Sequence, residues 1–278
     1  MILGEDCYFC SHRTFDFDLF MKTILFGLFC LFITFGCNSP KAEMNEPEKV
    51  TITGQVTDYN GIPIDSCSVF WKSPSFENIV EVLTDKEGRY TAQVPKGKYQ
   101  SVAAIYMPSY ASIAMQEGKL KEEDYRLEFW AWDFVADRDT ILDIRYHRME
   151  AYGLRAFRIP GAAPCYQIYV RPMSLSRTLE WMKQGAQSEE CLMAPSSEFL
   201  GVKVWIDGEE VSVLMKQEIK EHLSEGVYAN AYLLTVDIPE HPKEDLPYRT
   251  FKLELTDLEN GDKGEGYYYM DKEDCLLR

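Results

Sequence analysis

From residue 50 onward, apolar and polar residues alternate with a period of two, as in strands with one face in a core and one toward water. Residues 50–56 read VTITGQV, 66–72 read SCSVFWK, and 89–94 read RYTAQV. Turn residues punctuate them. Asn60-Gly61 supplies the positive φ angles of a tight hairpin, Thr84 to Gly88 suits a type I turn with a bulge at Gly88, and Pro95-Lys96-Gly97 makes a third turn. Short strands with turn signals this dense favour an antiparallel sandwich over a helix-crossover sheet. Strands over 125–134 and 139–146 complete the pattern, and the polar stretch 115–127 between these blocks reads as a short helix or a surface loop.

Beyond residue 148 the pattern stays strand-rich, over 151–159, 165–173, 199–206, 228–238 and 248–258, with Asp207-Gly208 as a turn. Tyr166, Ile168 and Val170 share one face, and Gln167, Tyr169 and Arg171 the other. Two helices are predicted: 176–187 with Ser176 as N-cap, and 213–226 ending at Gly226, where Met215, Ile219 and His222 or Leu223 recur at helical spacing. The fold class is mainly β. A first β-sandwich spans 50–147 and a second β-rich domain spans 148–278, either a sandwich with helical loops or, alternatively, an α+β domain.

The amino terminus has a different texture. Lys22 precedes a nearly continuous apolar run, Ile24 to Phe35, of 12 residues. A membrane-spanning helix needs about 20 apolar residues, so the run suits the core of a signal peptide spanning 21–36. Residues 1–20 carry four acids that such peptides rarely have ahead of a basic start, and Met21 is the expected start. Residues 37–49, with two prolines and a spread of glutamates, read as a solvated tether.

Two resemblances follow from these residues. Thr34-Phe35-Gly36-Cys37 resembles a bacterial lipobox, with Thr34 in place of the usual leucine; this implies that Cys37 is lipidated and becomes the amino terminus. The stretch GQVTDYNGIPIDSCSVFW through VLTDKEGRYTAQVPKGKYQSVAAIY resembles the carboxypeptidase regulatory-like, or transthyretin-like, domain. Gly54, Val56, Asp58, Gly61, Pro63, Val69, Thr84, Asp85, Gly88, Tyr90, Val94, Pro95, Gly97 and Tyr99 carry it. That resemblance implies a seven-strand sandwich used as a structural or binding module, and it brings no catalytic residues.

Charge narrows the partners. The segment from Cys37 carries 41 acids and 27 bases, a formal charge of −14, which repels a phosphate backbone and makes nucleic acid an unfavourable partner. Three of the four histidines have a glutamate three places on: His147 with Glu150, His222 with Glu225, His241 with Glu244. Zinc carboxypeptidases use that spacing, but within a large α/β domain for which the residues after the sandwich leave no room. In so acidic a chain these are read as ordinary pairs, with no metal, cofactor or catalytic residue assigned. Local nucleotide-binding, zinc-protease and serine-hydrolase signatures are absent from the sequence. A dispersed Ser/His/Asp triad leaves no local signature, so an envelope hydrolase stays as an alternative.

Cys67, Cys165, Cys191 and Cys275 are compatible with up to two disulfides, Cys165 pairing with Cys191 or Cys275, or with free thiols. The acidic loop 257–265 fails the EF-hand register and reads as a β-turn. In 129–134, Trp130, Trp132 and Phe134 share a strand face and are a candidate aromatic binding surface; packing between the two domains is the competing, preferred reading. The expectation is a lipid-anchored outer-membrane protein facing the periplasm or the cell surface. Its role is that of a non-catalytic binding or structural module, with the membrane and a protein or glycan as partners.

Overall fold

The computed structural model describes residues 46–272 except 160, 162, 186–189, 225 and 226. The first part of the chain forms β1 (Lys49–Thr57), β2 (Ser68–Lys72), β3 (Asn78–Leu83), β4 (Arg89–Pro95), β5 (Gly97–Lys98) and β6 (Ser101–Ile105). Helix α1 (Ala111–Glu117) then leads to β7 (Phe129–Trp132), β8 (Val135–Ala136), β9 (Thr140–Ile141) and β10 (Ile144–Arg145). After β11 (Met149–Phe157) and β12 (Cys165–Ser174) come helix α2 (Leu175–Lys183), β13 (Glu190–Cys191), β14 (Leu200–Ile206) and β15 (Glu209–Val211). The long strands β16 (Val213–Ser224), β17 (Val227–Asp237), β18 (Tyr248–Asp257) and β19 (Lys263–Asp271) follow. The chain is mainly β, as the alternation predicts.

Three sheets carry the architecture. A central eight-stranded sheet runs β15-β14-β18-β19-β7-β6-β2-β3. One outer sheet is β10-β1-β4, with β9 also paired to β1; the other is β11-β12-β17-β13, with β16 on β17. Strand β7 shows how a single sheet serves both. Phe129 and Ala131 enter a core with Ile52, Trp71 and Val102, while Trp130 and Trp132 enter a second core with Leu154, Ile168, Leu234 and Phe251. Parallel pairing of β7 with β19, Ala131 opposite Tyr267, joins the strands of 50–147 to those of 148–278. The two expected halves therefore share a sheet and a core, and the chain from Glu48 is one compact unit.

Several local expectations change. The Asn60-Gly61 turn forms, with the Asp58 carboxylate accepting from the N–H groups of Asn60 and Ile62. It does not close a hairpin, because β1 lies in an outer sheet and β2 in the central one. The turn at Asp85 to Gly88 likewise passes the chain between layers. Gly88 is required there: its φ is +71°, and a Cβ would lie 2.4 Å from the Val56 carbonyl oxygen.

The helix expected over 213–226 is strand β16, paired antiparallel with β17. Its apolar residues recur every four positions, which is an even number and so fits the strand period as well as the helix turn. Pairing with β17 decides between them. The other helix forms as α2, but its N-cap is Ser174, whose side chain accepts from the Arg177 N–H at 3.3 Å. The polar stretch near 115–127 holds the end of α1, closed by Gly118 in the left-handed conformation. Asp207 and Gly208, both at positive φ, make the two-residue hairpin between β14 and β15.

Cys67 and Cys165 are free thiols. Register excludes the Cys165 to Cys191 bridge: they pair with Asp237 and Ala229 of β17, eight residues apart, or about 26 Å along the strand. Cys275 lies outside the described residues.

Candidate functional site

The first outer sheet covers only the β7-β6-β2-β3 half of the central sheet on its side. Beyond β19 it stops, and the same face of β18 and β14 is left without a covering sheet. At this step lies an open groove of about 980 Å³, walled by β1, β9 and β10 on one side and floored by β14, β18 and β19.

Register builds the floor. Trp205 stands opposite Lys252, and Lys252 opposite Tyr267, in one row across three neighbouring strands. The Lys252 ammonium lies 5.6 Å from the Trp205 ring and 5.4 Å from the Tyr267 ring. In the next row Glu254 stands opposite Glu265, a like-charge pair that is unfavourable unless neutralised. Arg145 from β10 neutralises it. Its guanidinium binds Glu254 and reaches Glu265 at 2.9 Å, its own backbone N–H donates to Glu265 at 3.0 Å, and Lys252 adds a contact to Glu265 at 3.2 Å.

The wall offers separate groups. Ile141 is 75% exposed. Asp139 and Asp143 each accept one backbone N–H, from Thr51 and Gln55, and as carboxylates keep further acceptor capacity. On the floor, Tyr248 of β18 donates to Asp137 at 3.2 Å, and burial together with that carboxylate pushes its pKa up to about 12, so the phenol stays a neutral donor. The lining carries three cationic and four anionic side chains. Apolar rings flanked by fixed donors and acceptors, with nearly balanced charge, can hold a polar, uncharged ligand better than a polyanion.

The residues singled out from sequence do not converge here. Trp130, Trp132 and Phe134 are 9%, 3% and 0% exposed, so they form no binding surface. Trp130 and Trp132 stack at 4.9 Å within the shared core, with Tyr152 edge-on to both. Phe134 joins the other core, because Asp133 at φ +53° breaks the alternation. Burying the two indoles contributes roughly 4 to 6 kcal/mol each in gross hydrophobic terms. This is packing where the two halves join.

His147 is half-buried, and burial with Arg126 and Arg148 lowers its pKa. Glu150 on β11 is buried. Glu244 accepts from the Thr250 hydroxyl, and Glu225 lies outside the described residues. Among the described residues no three His, Cys, Asp or Glu side chains are arranged to hold a metal ion. In the 257–265 hairpin loop, Asp262 accepts from Ser174 at 2.7 Å and Ser176 at 3.0 Å and pairs with Arg148, while Asp257 takes both arms of Arg177. Those carboxylates fasten α2 to the loop. Cys37 and the apolar run before it lie outside the described residues, and no helix among the described residues is long and apolar enough to cross a membrane.

No family model matches the chain, and no curated protein matches it. Solved structures overlap it loosely. A DUF3823 family protein from Parabacteroides merdae is 9% identical with a TM-score of 0.25, covering 81% of this chain and all of that one. A candidate carbohydrate binding protein from Bacteroides uniformis has the same identity and coverage with a TM-score of 0.27. The major pilin subunit of Bacillus cereus is 12% identical over 80% of this chain and 68% of its own, with a TM-score of 0.24. Similarity this low carries no argument about ligand or descent.

Proposed function

We propose that this chain is a lipid-anchored protein of the bacterial outer membrane that binds a neutral glycan in the groove. The observation that carries the binding reading is the row Trp205, Lys252, Tyr267 on the uncovered face of the central sheet, beside the exposed Ile141. Aromatic faces stack on the apolar faces of sugar rings, and the Asp139 and Asp143 carboxylates are placed to accept sugar hydroxyls. The role is binding, not catalysis: Glu254 and Glu265 are committed to Arg145 and Lys252, which suits a rigid floor and not proton transfer.

The lipobox-like Thr34 to Cys37 supports the anchor, and the tether over 37–49 gives the folded part reach from a membrane surface. The turn and core residues Gly54 through Tyr99 support assigning the first sandwich to the carboxypeptidase regulatory-like class. Isothermal titration with neutral oligosaccharides, on wild type and Trp205→Ala, tests the binding. The expected result is measurable affinity that falls about tenfold or more in the variant, equivalent to about 1.4 kcal/mol. Equal binding by both proteins, or none by either, contradicts it.

A further inference from the structure

Strand β16 borders the second outer sheet, and its strand partner among the described residues is β17 alone. The register with β17 is regular from Met215 to His222, which is about 26 Å of edge. Among the described residues no other backbone hydrogen bond reaches this stretch, so its outward N–H and C=O groups are left to solvent. Such a row is a template for a further strand. Other borders offer less: β11 has a register shift between Tyr152 and Arg155, and β3 runs only from Asn78 to Leu83.

The side chains along this edge select the strand that fits it. A second copy of β16 added antiparallel is related to the first by a two-fold axis normal to the sheet. Facing residues then point to the same side, and their numbers have an even sum. Two such registers overlap the regular stretch most fully. In one, Glu218 faces Glu218 and Lys216 faces Lys220, so every pair of facing charges repels. In the other, Ile219 sits on the axis against its own copy, Glu218 faces Lys220 on both sides of the axis, and Gln217 faces Glu221. The second register is complementary in charge, and Lys216 meets His222 at its ends.

Existing contacts hold these side chains in place for it. Glu218 Oε1 accepts from the Ser197 N–H at 2.6 Å and the Tyr232 hydroxyl at 3.2 Å, and the carboxylate keeps acceptor capacity on its other oxygen. Lys216 donates inward to the Leu200 carbonyl at 2.7 Å, which draws its charge away from a facing His222. Glu221 is fixed by Tyr169 at 2.6 Å and Arg171 at 3.1 Å and remains an acceptor for a facing Gln217 amide. We propose that β16 pairs antiparallel with β16 of a second copy of this chain, centred on Ile219, so that two outer sheets become one continuous sheet. No residue of 213–224 lines the groove, so each copy keeps its own, and the dimer presents two grooves together.

Sedimentation equilibrium of the whole chain at rising concentration reads the association. Wild type is expected to pass from monomer to dimer. Lys220→Glu sets a glutamate against Glu218 across the axis and is expected to weaken the dimer about tenfold or more. Gln217→Lys sets a lysine against Glu221 and is expected to tighten it. Both positions are exposed, so both variants are expected to fold, which circular dichroism checks. A chain that stays monomeric at every concentration, its edge then open to a strand of another protein, overturns the proposal. A dimer whose strength neither substitution changes overturns it equally, because the interface then lies on another face.

Discussion

Individual residues hold this fold where geometry leaves one choice. Gly88→Ala must place a methyl 2.4 Å from the Val56 carbonyl at a left-handed φ, and a loss of about 2 to 4 kcal/mol in urea unfolding is expected. Arg145→Met removes the guanidinium that separates Glu254 from Glu265, one of them buried, and a loss of about 3 kcal/mol is expected from the same measurement. The aromatic pair Trp130 and Trp132 shows the reverse case. Their shared strand face was legible from alternation, but which partner covers that face depends on β11 and β12, far along the chain. The groove residues were legible only faintly. Trp205 shares a strand face with Lys203, so an aromatic on the polar side of an alternating strand was the local signal. Its row with Lys252 and Tyr267 exists only through register.

At the scale of elements, the alternating strands and the Asp207-Gly208 hairpin follow from local chemistry and form where the sequence places them. Strand β16 does not, because a repeat of four residues satisfies two periods and only the pairing with β17 chooses. The turns at Asn60-Gly61 and Asp85 to Gly88 form as local structures while their strands part into different sheets, which no turn residue encodes. Helix α2 is held by its cap and by the loop 257–265 together. Ser174→Ala loses the N-cap and a bond to Asp262 at once, so a loss of about 2 kcal/mol is expected by thermal unfolding, about twice that of an ordinary cap. A loss no larger than a few tenths of a kcal/mol would show that α2 is docked by its apolar face alone.

For the whole molecule, the parallel pairing of β7 with β19 joins the expected first sandwich and the expected second β-rich domain into one structure with a common sheet. Unfolding is expected as one cooperative transition, with near-ultraviolet dichroism and tryptophan fluorescence giving the same midpoint. Two separated transitions would restore two independent domains. The same junction explains the groove: a first outer sheet narrower than the central sheet leaves β14 and β18 without a covering sheet on that side, and this face carries the aromatic row.

Chemical-shift mapping with a neutral oligosaccharide tests that assignment most directly. The account predicts that the Trp205 indole and the amides of Lys252, Tyr267 and Ile141 shift together as ligand is added, while residues of the β16 edge stay still. Shifts confined to another face, or none at saturating ligand, would contradict it.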